Sequence, residues 1–224
     1  MAARFCYHGR VMGKIGKNID FVLALALLAV YVAVLRFALR LELSGIEIAG
    51  VAANIIAVTL MRRQSVWGYM VAILANSLLA AYFYSAGLSG QTIVRAFYAV
   101  MSGAGAYSWH RPRKNGERLA PAYLPRRLWI LIAAGLVAVV AAQVSMGRAA
   151  LGIIDYASLY LSLAGGLLMM GKKIEGWILW TLVDFVNIPL FVMSGAYLNI
   201  FYHLFSITNE MVAIPAWHRE RRKN

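Results

Sequence analysis

Eight long apolar runs separated by short polar breaks constrain this chain more than any other feature. They lie at about residues 19–41, 46–62, 66–86, 90–109, 128–145, 152–170, 176–194 and 197–216, and most approach the ~20 residues that cross a bilayer as a helix. In lipid the backbone must satisfy its own hydrogen bonds, so each run is expected to be helical. Composition agrees: the chain is 62% hydrophobic and 14% charged, where soluble domains are about 45–50% and 25%. The one long connection, Arg111 to Arg127, is polar, holds Pro121 and Pro125, and reads as a linker. No soluble domain fits. The expected fold is an all-α polytopic membrane protein with eight transmembrane helices.

Charge gives the orientation. The N-terminal residues Arg4, Arg10, Lys14 and Lys17, then Arg62 and Arg63, the 111–127 connection, Lys172 and Lys173, and the C-terminal tail all fall on one side. They hold most of the 22 Lys and Arg residues; the other side has at most Arg36, Arg40, Arg95 and Arg148. The positive-inside rule then places both termini in the cytoplasm. The net charge of +13 is scattered over membrane-proximal loops, which fits topology and anionic lipid rather than nucleic acid. The first run follows basic residues as a signal peptide would. Its apolar core is at the long end for one and Ala38 makes a poor cleavage site, so a retained helix is expected. Cys6 is the sole cysteine, and the four histidines have no metal-ligand spacing. No cofactor is implied.

Two segments superpose without a gap. Trp109-His110 recurs as Trp217-His218, and the same offset pairs Ile46 with Ile154, Leu60-Met61 with Leu168-Met169, Phe83 with Phe191, Gly87 with Gly195, and Phe97 with Phe205. Asn76 falls opposite Asp184, and Glu47 opposite Asp155. The expected organisation is an N-terminal tail and extra helix (1–45), a first three-helix repeat (46–110), a cytoplasmic loop and connecting helix (111–150), and a second repeat with a basic tail (151–224). Corresponding members are four spans apart, so the repeats are parallel, a 3+1+3 bundle. Carriers built this way place substrate near the midplane, between the halves.

Candidate site residues concentrate on the run Trp177 to Asn187, WILWTLVDFVN. Trp177, Trp180, Asp184 and Asn187 lie along one side of a helix. Asp184 in a membrane helix is a functional-site candidate by default; the alternative is a structural acid bonded to a neighbouring helix. The tryptophans are either stacking plates for an aromatic or cationic ring or members of an interfacial belt. Pro189 is a hinge or an ordinary membrane-helix proline. Asn76 supplies a polar group from the other half, and Asn54 and Ser162, which share the offset, are candidates to face the cavity. On the last helix Tyr202, Asn209 and Glu210 join the set, with Asn209 and Glu210 deep enough to need partners. Arg95 either snorkels outward, pairs with Glu47 or Asp155, or meets substrate; His203 stands at the matching position of the second segment. No Walker sequence, dinucleotide loop or GxSxG elbow is present. A membrane enzyme would need clustered acids or histidines near an interface, and an assembly subunit would leave Asp184, Asn209 and Glu210 without purpose.

The pattern W177-I-L-W180-T-L-V-D184, followed by G195-x-Y197-L198, Phe205 and a terminal Trp217 among basic residues, resembles the nicotinamide riboside transporters, the PnuC family. Trp67, Phe83, Leu88, Phe97 and Trp109 resemble the family's first repeat, and the resemblance covers about residues 46–219. It implies a SWEET-like three-plus-one-plus-three fold, a homotrimer in the bacterial inner membrane, and facilitated diffusion of nicotinamide riboside, a vitamin B3 precursor, by alternating access. Trp177, Trp180, Asp184 and Asn76 would be substrate-site residues, and the ribose would be held by Asn76, Asn187 and Asn209. The chain departs from the family at Arg95, where Gln is common, at His203, where Tyr is common, and at Ser89, often Tyr. Relatives that carry thiamine, riboflavin or deoxynucleosides make such a vitamin or nucleoside the alternative cargo.

Overall fold

The structure is a computed structural model that describes residues 22–85, 87, 89–111 and 119–223. The basic N-terminal residues, Cys6, His8, Leu88 and the middle of the 111–127 connection lie outside them. The chain forms two units that meet in sequence at Leu43 and Ser44. The first contains α1 (Val22–Ala38), apolar apart from Tyr31 and Arg36 and ending in a π turn over Val34–Ala38.

The second unit contains α2 (Gly45–Arg62), α3 (Trp67–Ser85), α4 (Ser89–His110), α5 (Arg126–Ser145), α6 (Ala150–Met170), α7 (Glu175–Ser194) and α8 (Tyr197–Arg221). Helices α2, α3, α5, α6 and α7 are long and apolar enough to cross a membrane on length and composition alone. Helices α4 and α8 are longer, 22 and 25 residues, but carry polar side chains that the fold turns inward, among them Arg95, Ser102, His203, Ser206, Asn209 and Glu210. A polar stripe dilutes the hydropathy of a span without exposing anything polar to lipid. Helix α8 also runs beyond the expected end at 216, continuing through Pro215 to Arg221.

Neighbours in sequence pack together, α2 on α3, α3 on α4, α6 on α7 and α7 on α8, while α2 meets α8 and α4 meets α6. The α2–α3 and α6–α7 turns have the same backbone. Gln64 and Lys172 both adopt a left-handed conformation, at φ 57° and 49°. Their amides bond Met61 and Met169 carbonyls at 2.8 and 3.0 Å. Each turn needs a glycine four residues on: a Cβ on Gly68 would lie 2.7 Å from the Met61 amide nitrogen, and one on Gly176 3.1 Å from that of Met169. At the opposite end, Gly87 and Gly195 close α3 and α7, both at φ 72°, the usual reason for glycine after a helix.

The connection between α4 and α5 is less free than its composition suggests. Ala122 exchanges backbone hydrogen bonds with the α6–α7 turn, donating to Lys172 O at 3.0 Å and accepting from Ile174 N at 3.1 Å. The Leu124 amide donates to Glu175 Oε2 at 2.9 Å, and Tyr123 and His218 meet through Oη and Nδ1 at 2.6 Å. This part of the linker is a strap bound to α7 and α8.

Candidate functional site

Helices α2, α3, α4, α6, α7 and α8 surround a cavity of about 100 Å³, large against the ~10–15 Å³ that one water needs on the same measure. Asp184 and Glu210 face it from α7 and α8, and Arg95 from α4. All three are buried. Asp184 Oδ1 lies 2.6 Å from His203 Nδ1, and Ser206 Oγ donates to Glu210 Oε1 at 3.1 Å. Asn187 Oδ1 accepts from Ser158 Oγ at 2.6 Å. Asn76 spends one donor on the Ala72 carbonyl of its own helix, at 2.8 Å.

The remaining polar atoms of this lining are unusual. Asn54 Nδ2, Arg95 Nε, Trp180 Nε1, Asp184 Oδ2, His203 Nε2 and Glu210 Oε2 are all buried and have no hydrogen-bond partner. An orphaned donor or acceptor in a protein interior costs roughly 1–3 kcal/mol, and native structures tolerate few of them. Six around one cavity mark a surface built for a polar guest, with donors and acceptors both on offer.

Seven of the nine sequence candidates line the cavity: Asn54, Asn76, Trp180, Asp184, Asn187, Tyr202 and Glu210. The other two do not. Trp177 is fully buried one turn away, edge-on to Trp180 at 5.6 Å and to Trp217 at 5.4 Å. It is not a lipid-facing belt residue. Asn209 is turned to α2, where its Nδ2 donates to the Val58 carbonyl at 3.3 Å. Glycine shapes the Trp180 wall, since a Cβ on Gly165 of α6 would sit 2.6 Å from the indole.

Arg95 and His203 both reach the cavity; Arg95 does not pair with Glu47, which accepts instead from Asn199 Nδ2 at 3.1 Å. Gln91, Tyr98 and Ser102 also line it and were not singled out in the sequence. Their spacing with Arg95, every three or four residues, marks one face of α4. Positions separated by the offset recur around the lining: Asn54 and Ser162, Asn76 and Asp184, Arg95 and His203, Tyr98 and Ser206, Ser102 and Glu210.

Aromatic rings flank the cavity on both ends. Beyond Arg95 and His203, Phe83 and Phe191 stack at 6.4 Å, and Phe191 stacks on His203 at 5.2 Å. Toward the α2–α3 and α6–α7 turns, Tyr69 meets Trp109 at 4.9 Å and Trp109 meets Trp217 at 5.8 Å. Here Trp109 Nε1 donates to Met169 O at 3.0 Å and Trp217 Nε1 to Arg62 O at 2.9 Å, so each ring ties its helix to the end of the first helix of the other segment. No group of His, Cys, Asp and Glu fit to hold a metal occurs among the described residues.

An all-helical, multi-pass membrane fold with a cavity among its helices that buried polar and charged side chains line defines a class, the membrane transporters. Within that class the chain belongs to the nicotinamide mononucleotide transporter family, whose description it matches over residues 44–219. It is similar to the nicotinamide riboside transporters PnuC of Escherichia coli (strain K12) and Shigella flexneri, each 22% identical over 187 residues, spanning 70% of this chain and 77% of the relative. Its fold is similar to that in the crystal structure of the vitamin B3 transporter PnuC, with a TM-score of 0.74, 17% identity and 92% coverage of both chains.

Proposed function

We propose that the protein carries a vitamin B3 precursor, nicotinamide riboside, across a bacterial inner membrane by facilitated diffusion. The observation that carries this reading is the convergence of unpartnered donors and acceptors on one cavity bounded by the Trp180 indole; the names of the relatives support the cargo. Nicotinamide riboside combines a flat cationic ring with a ribose rich in hydroxyls. A cation over an indole face gains about 0.5–2 kcal/mol, and Asp184 supplies the counter-charge. Asn54, Asn76, Asn187 and Tyr202 bond the hydroxyls, with Glu210 as a further acceptor. Trp177 and Asn209 act one layer back, holding Trp180 and the α2–α8 contact.

Transport by alternating access is supported by the matched lining positions of residues 46–110 and 151–224, which would rock about the site as two halves. The strap at 119–125 would travel with the second. The basic loops support an orientation with both termini in the cytoplasm. The outward apolar side chains of α5, almost none of them buried within the protein, suit lipid or the homotrimer that the family resemblance implies. Uptake of labelled nicotinamide riboside into proteoliposomes tests the function. Uptake that needs no ion gradient and is abolished in both Asp184→Asn and Trp180→Ala is expected; uptake intact in both variants would remove the site assignment.

A further inference from the structure

Arg95 is a buried cation that feels the charge of Asp184 across the cavity but has no carboxylate in direct contact among the described residues. It is 7% exposed and shares the cavity face of α4 with Gln91, Tyr98 and Ser102. Its Nε is buried without an acceptor. Each nearby carboxylate gives one oxygen to another group: Asp184 Oδ1 to His203, Glu210 Oε1 to Ser206 and Glu47 Oε1 to Asn199. Among the described residues no ion pair holds the guanidinium. What it does touch is the Phe83 ring, 5.8 Å from the guanidinium carbon to the centroid, a contact that offers no hydrogen-bond acceptor in the guanidinium plane.

A charge buried in a protein is stable when it is paired. The planar fork of arginine suits a carboxylate or phosphate, which it can bind through two parallel hydrogen bonds. Facing Arg95, the acidic side chains Asp184 and Glu210 lie close enough to act on each other, and together they favour a donor or a positive charge. The lining is therefore dipolar, with a cation on α4 and carboxylates on α7 and α8.

We propose that Arg95 is a specificity-determining residue that receives an anionic group, a carboxylate or a phosphate, on a substrate whose cationic or donor-bearing part faces Asp184 and Glu210. This rests on the site proposed above and extends its cargo from nicotinamide riboside to the wider pyridine nucleoside class, anionic members included. Within that class it favours the nicotinic acid counterpart of nicotinamide riboside, in which a carboxylate replaces the amide, and nicotinamide mononucleotide, which adds a phosphate. Nicotinamide riboside itself leaves the guanidinium without a counter-charge.

Titration calorimetry with these three ligands on the purified wild type, Arg95→Gln and Arg95→Lys tests the proposal. The wild type is expected to bind at least one anionic ligand about tenfold or more tighter than nicotinamide riboside, and which one identifies carboxylate or phosphate. Arg95→Gln should cut that ratio about tenfold, and Arg95→Lys should retain part of it. Nicotinamide riboside bound as tightly as both anionic ligands by the wild type, or a preference that survives Arg95→Gln, would overturn the role of Arg95 while leaving the pyridine nucleoside reading standing. Binding of none of the three would overturn that reading, and this inference with it.

Discussion

The cavity and the tryptophan layer beside it are built from the same helices, yet their hydrogen bonding differs. In the layer, Trp109 and Trp217 each give their indole N–H to a carbonyl across the segment boundary, and the rings fill the space between helices. In the cavity, Trp180 Nε1, Asp184 Oδ2, Glu210 Oε2 and Arg95 Nε have nothing to bond. The first arrangement spends its polar groups on holding the protein together. The second holds them in reserve at a cost in stability that a ligand can repay. Trp177 belongs to the layer by position, though its own Nε1 is also unpartnered, so the boundary between the two regions runs within one turn of α7.

This contrast can be broken by substitutions that should separate stability from binding. The largest effect is expected at Trp217, which is fully buried. Trp217→Ala removes a ring and a hydrogen bond and should cost about 3–5 kcal/mol, measured by thermal unfolding in detergent; an unchanged melting temperature would show that the layer is not structural. Asp184→Asn should do the reverse, leaving the melting temperature nearly unchanged and weakening nicotinamide riboside binding by about 1.5–3 kcal/mol, read by calorimetry. A large fall in stability without loss of binding would move Asp184 into the structural class. Gly68→Ala should cost about 1–3 kcal/mol, because the added Cβ meets the Met61 amide and the Ala57 carbonyl, which cannot move aside. Gly176→Ala, whose nearest neighbours are side-chain atoms of Met169, should cost less, and the order of the two melting temperatures checks it. The smallest effect is expected for Gly195→Ala. There the space is open but φ is 72°, so the change should cost about 1 kcal/mol with binding intact.

Much of the fold was legible because lipid leaves a chain few choices: eight apolar runs became eight helices, with boundaries shifted by a few residues. The exception is the end of α8, which continues through His218, Arg219, Glu220 and Arg221, because hydropathy marks where an apolar run ends and not where helical hydrogen bonding does. The site was legible where side-chain direction decides it. Asp184 and Trp180 share a face of α7, and that face meets the cavity. Trp177 lies on the same stripe, but periodicity gives direction around a helix and not the depth at which a cavity ends. Asn209 failed to reach the cavity for the complementary reason: one residue from Glu210 is a rotation of about 100°, enough to turn it to α2. The polar face of α4 carries its own period, but tyrosine and serine also serve as ordinary membrane-helix residues, and only the packing of α4 against α6 gives Tyr98 and Ser102 a cavity to face.

The most direct test of the account is calorimetric titration of nicotinamide riboside into the wild type, Asp184→Asn and Trp217→Phe, each checked for folding by its melting temperature. Binding is expected to the wild type and to Trp217→Phe, with a loss of about tenfold or more in Asp184→Asn. Undiminished binding by a folded Asp184→Asn would contradict this, because the Asp184 carboxylate that lines the cavity would then have no part in holding the cargo.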